Sequence, residues 1–205
     1  MIRTHYLDAS AIVKMFANEN DSEPLRQYVD AHSVFYAFTP CFIEAMSILK
    51  GKVRRGEFAT ADAYHAACED LVAWVRDDGL MLEGAVTTDR DSFVKAEALA
   101  IKHSIDLIDA YQVWVVKEGF LSRFAGTPSA PLLITADGLL ATAARAENIS
   151  VWDCIREPVP TSVARMLASG FPSSTSRSDQ KLVRWVPVHS TPRFGEKTSM
   201  KQSVV

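Results

Sequence analysis

Through residue 153 the chain alternates short apolar runs with helix-patterned stretches, and that alternation restricts the fold more than any other feature. Strand-like runs end at Leu7 and recur at 34–38, 80–86, 131–135 and 149–152. Between them the pattern predicts helices at 9–17, 22–32, 39–55, 60–77, 89–103, 106–118 and 138–147. Thr39 as N-cap with Pro40 at the first helical position marks one start, and Gly119 marks one stop. Ala63, Ala67, Leu71 and Trp74 share one helical face. Strands separated by one or two helices form a mostly parallel sheet sandwiched between helices, the α/β class with three α/β/α layers.

Composition divides the chain in two. Residues 1–155 hold 14 Lys and Arg against 22 Asp and Glu, whereas 156–205 hold 8 against 3. The first part is expected to be one domain, 1–157, and the second, 158–205, a basic and partly ordered extension. The prolines Pro158 and Pro160 open it, with a short helix at 161–169 and a strand at 182–188 as its regular parts. An acidic body argues against a surface that coats nucleic acid. It does not exclude a nuclease, because a bound cation reverses the local sign.

Cys41, Cys68 and Cys154 are odd in number and widely spaced, so they read as free thiols in a reducing compartment. No apolar run approaches the length of a membrane span, and the first residues lack a signal-peptide core. The expected setting is the cytoplasm, away from membranes.

Four carboxylates stand where such a fold gathers function. Asp8 follows the first strand, Asp137 follows Leu133-Ile134-Thr135, and Glu44 and Asp109 lie early in helices between apolar residues. Parallel sheets collect strand-end positions into one crevice. Carboxylates crowded there repel one another unless a hard cation neutralises them, which points to a metal-dependent site acting on phosphate. Each acid also has an ordinary explanation. Asp8 and Asp137 suit helix N-caps, Asp109 suits the third position of a capping turn begun by Asp106, and Glu44 suits a solvated stripe with Ser47, Gly51 and Arg54. From spacing alone the two accounts stay balanced.

The phrases Tyr6-Leu7-Asp8-Ala9-Ser10-Ala11, Pro40-Cys41-Phe42-Ile43-Glu44-Ala45, Leu107-Ile108-Asp109-Ala110 and Leu133-Ile134-Thr135-Ala136-Asp137 resemble, in order, the motifs of PIN-domain nucleases. The similarity spans about residues 2–153, and the nearest branch is the VapC-like toxins of bacterial toxin–antitoxin pairs. The 158–205 extension is longer than such a toxin calls for. The resemblance implies a PIN-like sandwich in which Asp8, Glu44, Asp109 and Asp137 are catalytic and hold Mg²⁺, with Mn²⁺ as a substitute. Asp137 would complete the set directly or through water. It further implies endoribonuclease activity that leaves a 5′-phosphate and a 3′-hydroxyl, a cognate antitoxin protein and a homodimer. Two other functions compete: a PIN nuclease of RNA processing or turnover outside a toxin system, and a catalytically silent PIN-like binding module.

Further residues are weighed around that set. Ser10 and Thr135 lie two residues from an acid and are candidates to orient a carboxylate or a metal-bound water. Helix capping and strand propensity are the favoured readings of the two. Asp106 competes with Asp109 three residues on, and suits the N-cap better. Lys50, Lys52, Arg54 and Arg55, at the end of the Glu44 helix, either complement the helix dipole or contact an RNA backbone. No phosphate-loop or dinucleotide fingerprint is present. The histidines lack ligand spacing and are expected mostly at the surface, while Trp74, Trp114 and Trp152 are expected in the core.

Overall fold

The computed structural model describes residues 4–160 except 18, 20, 33 and 85–88. The elements run β1 (His5–Leu7), α1 (Ala9–Phe16), α2 (Glu23–Asp30), β2 (Phe35–Phe38), α3 (Thr39–Arg54), α4 (Ala61–Arg76) and β3 (Leu80–Glu83). They continue with α5 (Arg90–His103), α6 (Leu107–Glu118), a 3₁₀ turn (Phe120–Phe124), β4 (Leu132–Thr135), α7 (Gly138–Ala146) and β5 (Ser150–Asp153). Every expected strand and helix of the body is present, with ends shifted by a residue or two. β3 departs further: expected through Val86, it ends at Glu83 with Gly84 already outside the strand. Ala85 and Val86 lie outside the described residues, as does the extension beyond residue 160 with its expected helix and strand.

The five strands form one sheet in the order β3-β2-β1-β4-β5. All four pairings are parallel, including His5 opposite Phe35 and Leu7 opposite Ile134. Helices cover both faces, and β1 and β4 are buried along their whole length. This burial is why β4 opens on the apolar run Leu132-Leu133-Ile134 rather than on an alternating pattern. The result is a three-layer α/β/α sandwich, with helix contacts centred on α1 with α3 on one side and α5 with α6 on the other. The chain leaves β1 for β2 in one direction and later places β4 on β1's other flank. Between β1 and β4 the connections therefore diverge, opening a crevice beyond the carboxyl ends of these strands.

Five helix starts carry side-chain caps, three of them, Asp8, Asp106 and Asp137, as expected. Asp8, Thr60, Asp89, Asp106 and Asp137 each accept a backbone N–H from the first turn of the following helix. The start of α3 departs from expectation. Phe38 occupies the N-cap without a side-chain bond, and Thr39 is already helical. The reason is that β2 runs into α3 with no connecting residue. Pro40 remains tolerated because the first-turn N–H groups have no helical partner in any case. Gly119 stops α6 in extended backbone, and a Cβ there would lie 2.4 Å from the Val115 carbonyl oxygen.

Trp114 and Trp152 are buried and Trp74 packs against the core, as expected. His5 corrects the surface reading of the histidines. It is 2% exposed and lies among Tyr28, His32 and Phe35, because a parallel central strand has no solvent face. Cys41 and Cys154 are buried and Cys68 half-buried, all as free thiols. No helix among the described residues is long and apolar enough to cross a membrane.

One buried carboxylate ties three helices together. Glu147 accepts from Lys102 at 2.6 Å, His103 at 2.7 Å and Lys117 at 2.5 Å. These bonds, Lys102 first, pull its carboxyl down to about 2. A depressed carboxyl contributes stability at neutral pH that disappears as pH falls from about 4.5 towards 2. Glu147→Gln is therefore expected to lower the neutral-pH melting temperature by about 5 °C. It should also flatten the loss of stability between pH 4.5 and 2, both measured by circular dichroism melts.

Candidate active site

The crevice between β1 and β4 is where Asp8 lies. Leu7 is the last residue of β1, and the Asp8 N–H still donates to the Ile134 carbonyl at 3.1 Å. Its side chain, 3% exposed, turns into the start of α1. Oδ2 accepts three donors: the Ser10 N–H at 3.1 Å, the Ser10 hydroxyl, and the Thr135 hydroxyl at 2.9 Å. Oδ1 accepts one, from Gln112 Nε2 at 3.0 Å. A carboxylate oxygen offers about two lone-pair directions. Oδ2 is thus filled, and Oδ1 alone keeps a direction open for a further partner.

Ser10 and Thr135 earn a larger role than capping or strand propensity gave them. Both hydroxyls hold Asp8, the Ser10 hydroxyl also accepts the Ala136 N–H, and the Thr135 hydroxyl accepts the Asp137 N–H, each at 2.9 Å. The two strand ends are stitched through side chains.

The other acids arrive from separate elements. Asp106 caps α6 by accepting the Asp109 N–H at 2.9 Å, as its sequence position implied. No reciprocal side-chain bond returns from Asp109, whose Oδ1 instead accepts from Gln112 Nε2 at 3.3 Å. Asp137 Oδ1 caps α7 through the Leu139 and Leu140 N–H groups at 2.6 and 3.1 Å. Glu44, half-buried on α3, lines a cleft of about 550 Å³ with Thr39, Pro40, Ile43, Ser47, Gly84 and Ile108.

Electrostatics couples the set. Burial first, and then the charges of Asp8, Asp106, Asp137 and Glu44, push the Asp109 carboxyl up to about 8. Burial, followed by Asp8, Asp106 and Asp137, raises Glu44 above the usual range. The row therefore contains five acids, with the exposed Asp106 adding to the four expected ones. Cys41 lies beneath them, its thiol pushed well up by burial first and by Asp8, Glu44 and Asp109, so it is no nucleophile at neutral pH.

This donor set fits a hard divalent cation: all its ligand atoms are carboxylate oxygens, and the burial and mutual repulsion behind its raised carboxyls are both offset by such a charge. As the side chains stand, no three His, Cys, Asp or Glu among the described residues converge as a ready-made metal cage. The acids are joined by charge and through Gln112.

Gln112 was not singled out from sequence. It is fully buried and bridges Asp8 and Asp109, with its Oε1 lacking a hydrogen-bond partner among the described residues. Only its position three residues after Asp109, on the same helix face, hints at the role. The candidate RNA-contacting cations turn out to be far from the acids along α3. Lys50, Lys52, Arg54 and Arg55 follow Glu44 by about 9–16 Å of helix rise, at the end directed away from the crevice. Lys52 is bound to Glu19 at 2.7 Å and Glu57 at 2.5 Å, Arg55 pairs with Glu57, and Lys50 stands over the Tyr64 ring. Arginine reaches the acidic row from the other flank instead, in Arg156 beyond β5, whose charge couples to Asp137.

No family model matches the chain. No curated protein matches it either. Among solved structures it is similar to the crystal structure of PAE2754 from Pyrobaculum aerophilum, with a TM-score of 0.51 and 14% identity. The match covers 81% of this chain and 90% of that one. At that identity the likeness concerns the fold.

Proposed function

We propose that the protein is a Mg²⁺-dependent endoribonuclease of the PIN type, acting as the toxin of a VapBC-like pair. The observation that carries this reading is the convergence of charge on Asp109. Five carboxylates from α1, α3, α6 and α7 border one crevice at a sheet switch point, and burial together with the charges of the other four holds Asp109 up at about 8. A fold keeps such repulsion where function needs it. Asp8 through Oδ1, Asp109 and Glu44 would hold the ion, with Asp137 Oδ2 beside them. A bound divalent cation supplies charge stabilisation of the attacked phosphate and acidifies a water.

The chain's own residues set up the rest. Ser10 and Thr135 fix the Asp8 carboxylate in one orientation, so little rearrangement is needed when a ligand arrives. Gln112 donates to Asp8 and Asp109 at once and so holds the two carboxylates in fixed relation. Asp109, held up at about 8, is poised to shed its proton as an ion enters. No serine, cysteine or histidine nucleophile is required.

Purified protein should cleave unstructured RNA in Mg²⁺ or Mn²⁺, stop in EDTA and resume when metal is returned. Its products should carry 5′-phosphate and 3′-hydroxyl ends. Cleavage that persists in EDTA, or none with either metal, overturns the nuclease reading. Growth arrest on expressing the gene alone, relieved by a neighbouring antitoxin gene, tests the toxin assignment.

A further inference from the structure

The acidic row is flanked by two clefts of opposite character. Strand order places the apolar one, beside Glu44, at the β2 side, and a second one at the β4–β5 side. The second cleft, about 680 Å³, is lined by Asp137, Gly138, Arg145, Asp153, Arg156 and Glu157 among others. Asp137 belongs to both the acidic row and this cleft.

The carboxylates of this cleft are already supplied with donors. Asp137 takes two amides of α7. Asp153 takes the N–H groups of Ile155 and Arg156 as well as Arg156 Nη1 at 2.7 Å. Glu157 takes Arg145 Nη2 at 2.5 Å and the Asp153 N–H at 3.2 Å. The two guanidiniums are not used up in this way. Each carries five N–H donors and makes a single side-chain contact among the described residues. Their side chains remain 60% exposed for Arg156 and 42% for Arg145.

Position adds an independent constraint. Gly138 opens α7 directly beneath Arg156, and a Cβ at Gly138 would lie 2.7 Å from Nη1 and 3.0 Å from Cζ. The absence of a side chain lets the guanidinium lie over the start of α7, next to Asp137. A surface ion pair of Asp153 and Arg156 by itself would contribute little to stability.

We propose that Arg156, with Arg145 across the cleft, binds the RNA phosphodiester adjoining the one cleaved. This rests on the nuclease reading above. The planar fork of Arg156 suits two phosphate oxygens. The three carboxylates and two guanidiniums of the cleft sum to a formal charge of −1, so a polyanion enters only once a divalent cation sits beside Asp137. Binding to Arg156 and binding of metal are thereby linked.

The test uses the full chain and a labelled, unstructured oligoribonucleotide. In Mg²⁺, Arg156→Gln should raise KM about tenfold with kcat within about threefold of wild type. In Ca²⁺, RNA affinity followed by fluorescence anisotropy should lose about 0.7 from its salt slope, the share of one single-strand phosphate contact. Arg156→Lys, which keeps the charge without the fork, should fall between wild type and Arg156→Gln. Arg76→Gln, at an exposed distant helix end, should match wild type. Gly138→Val, which crowds the guanidinium without removing it, should also raise KM, and it decides the matter if Arg156→Gln fails to fold. If wild type cleaves RNA but these Arg156 and Gly138 variants keep its KM and salt slope, the proposal is overturned and the nuclease reading stands. A fall in kcat at constant KM overturns it too. If wild type neither binds nor cleaves RNA with divalent metal, the nuclease reading falls and takes the proposal with it.

Discussion

Asp8→Asn is expected to cut Mg²⁺-dependent RNA cleavage by roughly a thousandfold and to make the protein less stable. The first effect follows from removing the innermost charge of the row. Stabilisation by a metal at a phosphate amounts to several kcal/mol, and about 4 kcal/mol corresponds to that factor. The second effect follows from hydrogen-bond geometry. An ionised Asp accepts at both oxygens, and every polar neighbour of Asp8 donates: Ser10 twice, Thr135 and Gln112. An Asn amide placed there must point its NH₂ at one of those donors. Gln112 can turn its Oε1 inward to meet it, but then Asp109 loses the Gln112 donor. A buried mismatch of this kind costs about 1–3 kcal/mol, roughly 3–9 °C in melting temperature for a domain of this size. Activity assays and thermal melts on the same preparation check both. An Asp8→Asn protein with wild-type cleavage removes Asp8 from the chemistry. One with unchanged stability contradicts the donor network.

Much of this could be read before any coordinates. The five parallel strands were legible because strands covered on both faces are largely apolar, as Leu132-Leu133-Ile134 is. The caps were legible because Asp at the end of a strand has few other uses, and Asp8, Asp106 and Asp137 all cap. A cap does not consume a carboxylate, so capping and metal binding are compatible roles. Asp137 spends one oxygen on α7 and keeps the other.

What escaped sequence analysis depends on distances across the chain. Gln112 meets Asp8 across 104 residues, and nothing local marks a glutamine in an apolar helix as a bridge rather than a misfit. Arg156 lies in a turn just inside the expected end of the domain at residue 157, where no local pattern singles it out. The Lys50–Arg55 cluster misled for the opposite reason. Its nearness to Glu44 in sequence is a separation along a helix that points away from the crevice, and two of its members are bound to Glu19 and Glu57. The cap of α3 was placed one residue late, at Thr39 rather than Phe38, because no loop intervenes between β2 and α3.

Asp109→Asn should likewise abolish cleavage, yet its effect on stability should have the opposite sign. The Asp109 carboxyl is held up at about 8 against an ordinary value of 3.8, so the folded state binds this proton more tightly than the unfolded chain does. Stability is then undiminished below pH 3.8, falls as pH rises through the interval, and is lowest above about 8, where folding must bury an ionised carboxyl among like charges. The proton belongs to the coupled row rather than to one residue alone, but Asp109 is where burial and four neighbouring charges meet. An amide there carries no charge to bury. After allowance for solvent screening, the relief is about 1–2 kcal/mol, or roughly 3–6 °C at this size. In EDTA at pH 9, Asp109→Asn should melt above wild type by that amount. At pH 3.5 the two should coincide. Mg²⁺ should raise the wild-type melting temperature at pH 9 and leave the variant nearly unmoved, since the cation relieves in one protein the repulsion that substitution removed in the other. Equal melting temperatures at pH 9 without metal would show that the acids do not crowd Asp109, and the repulsive carboxylate row would lose its physical basis.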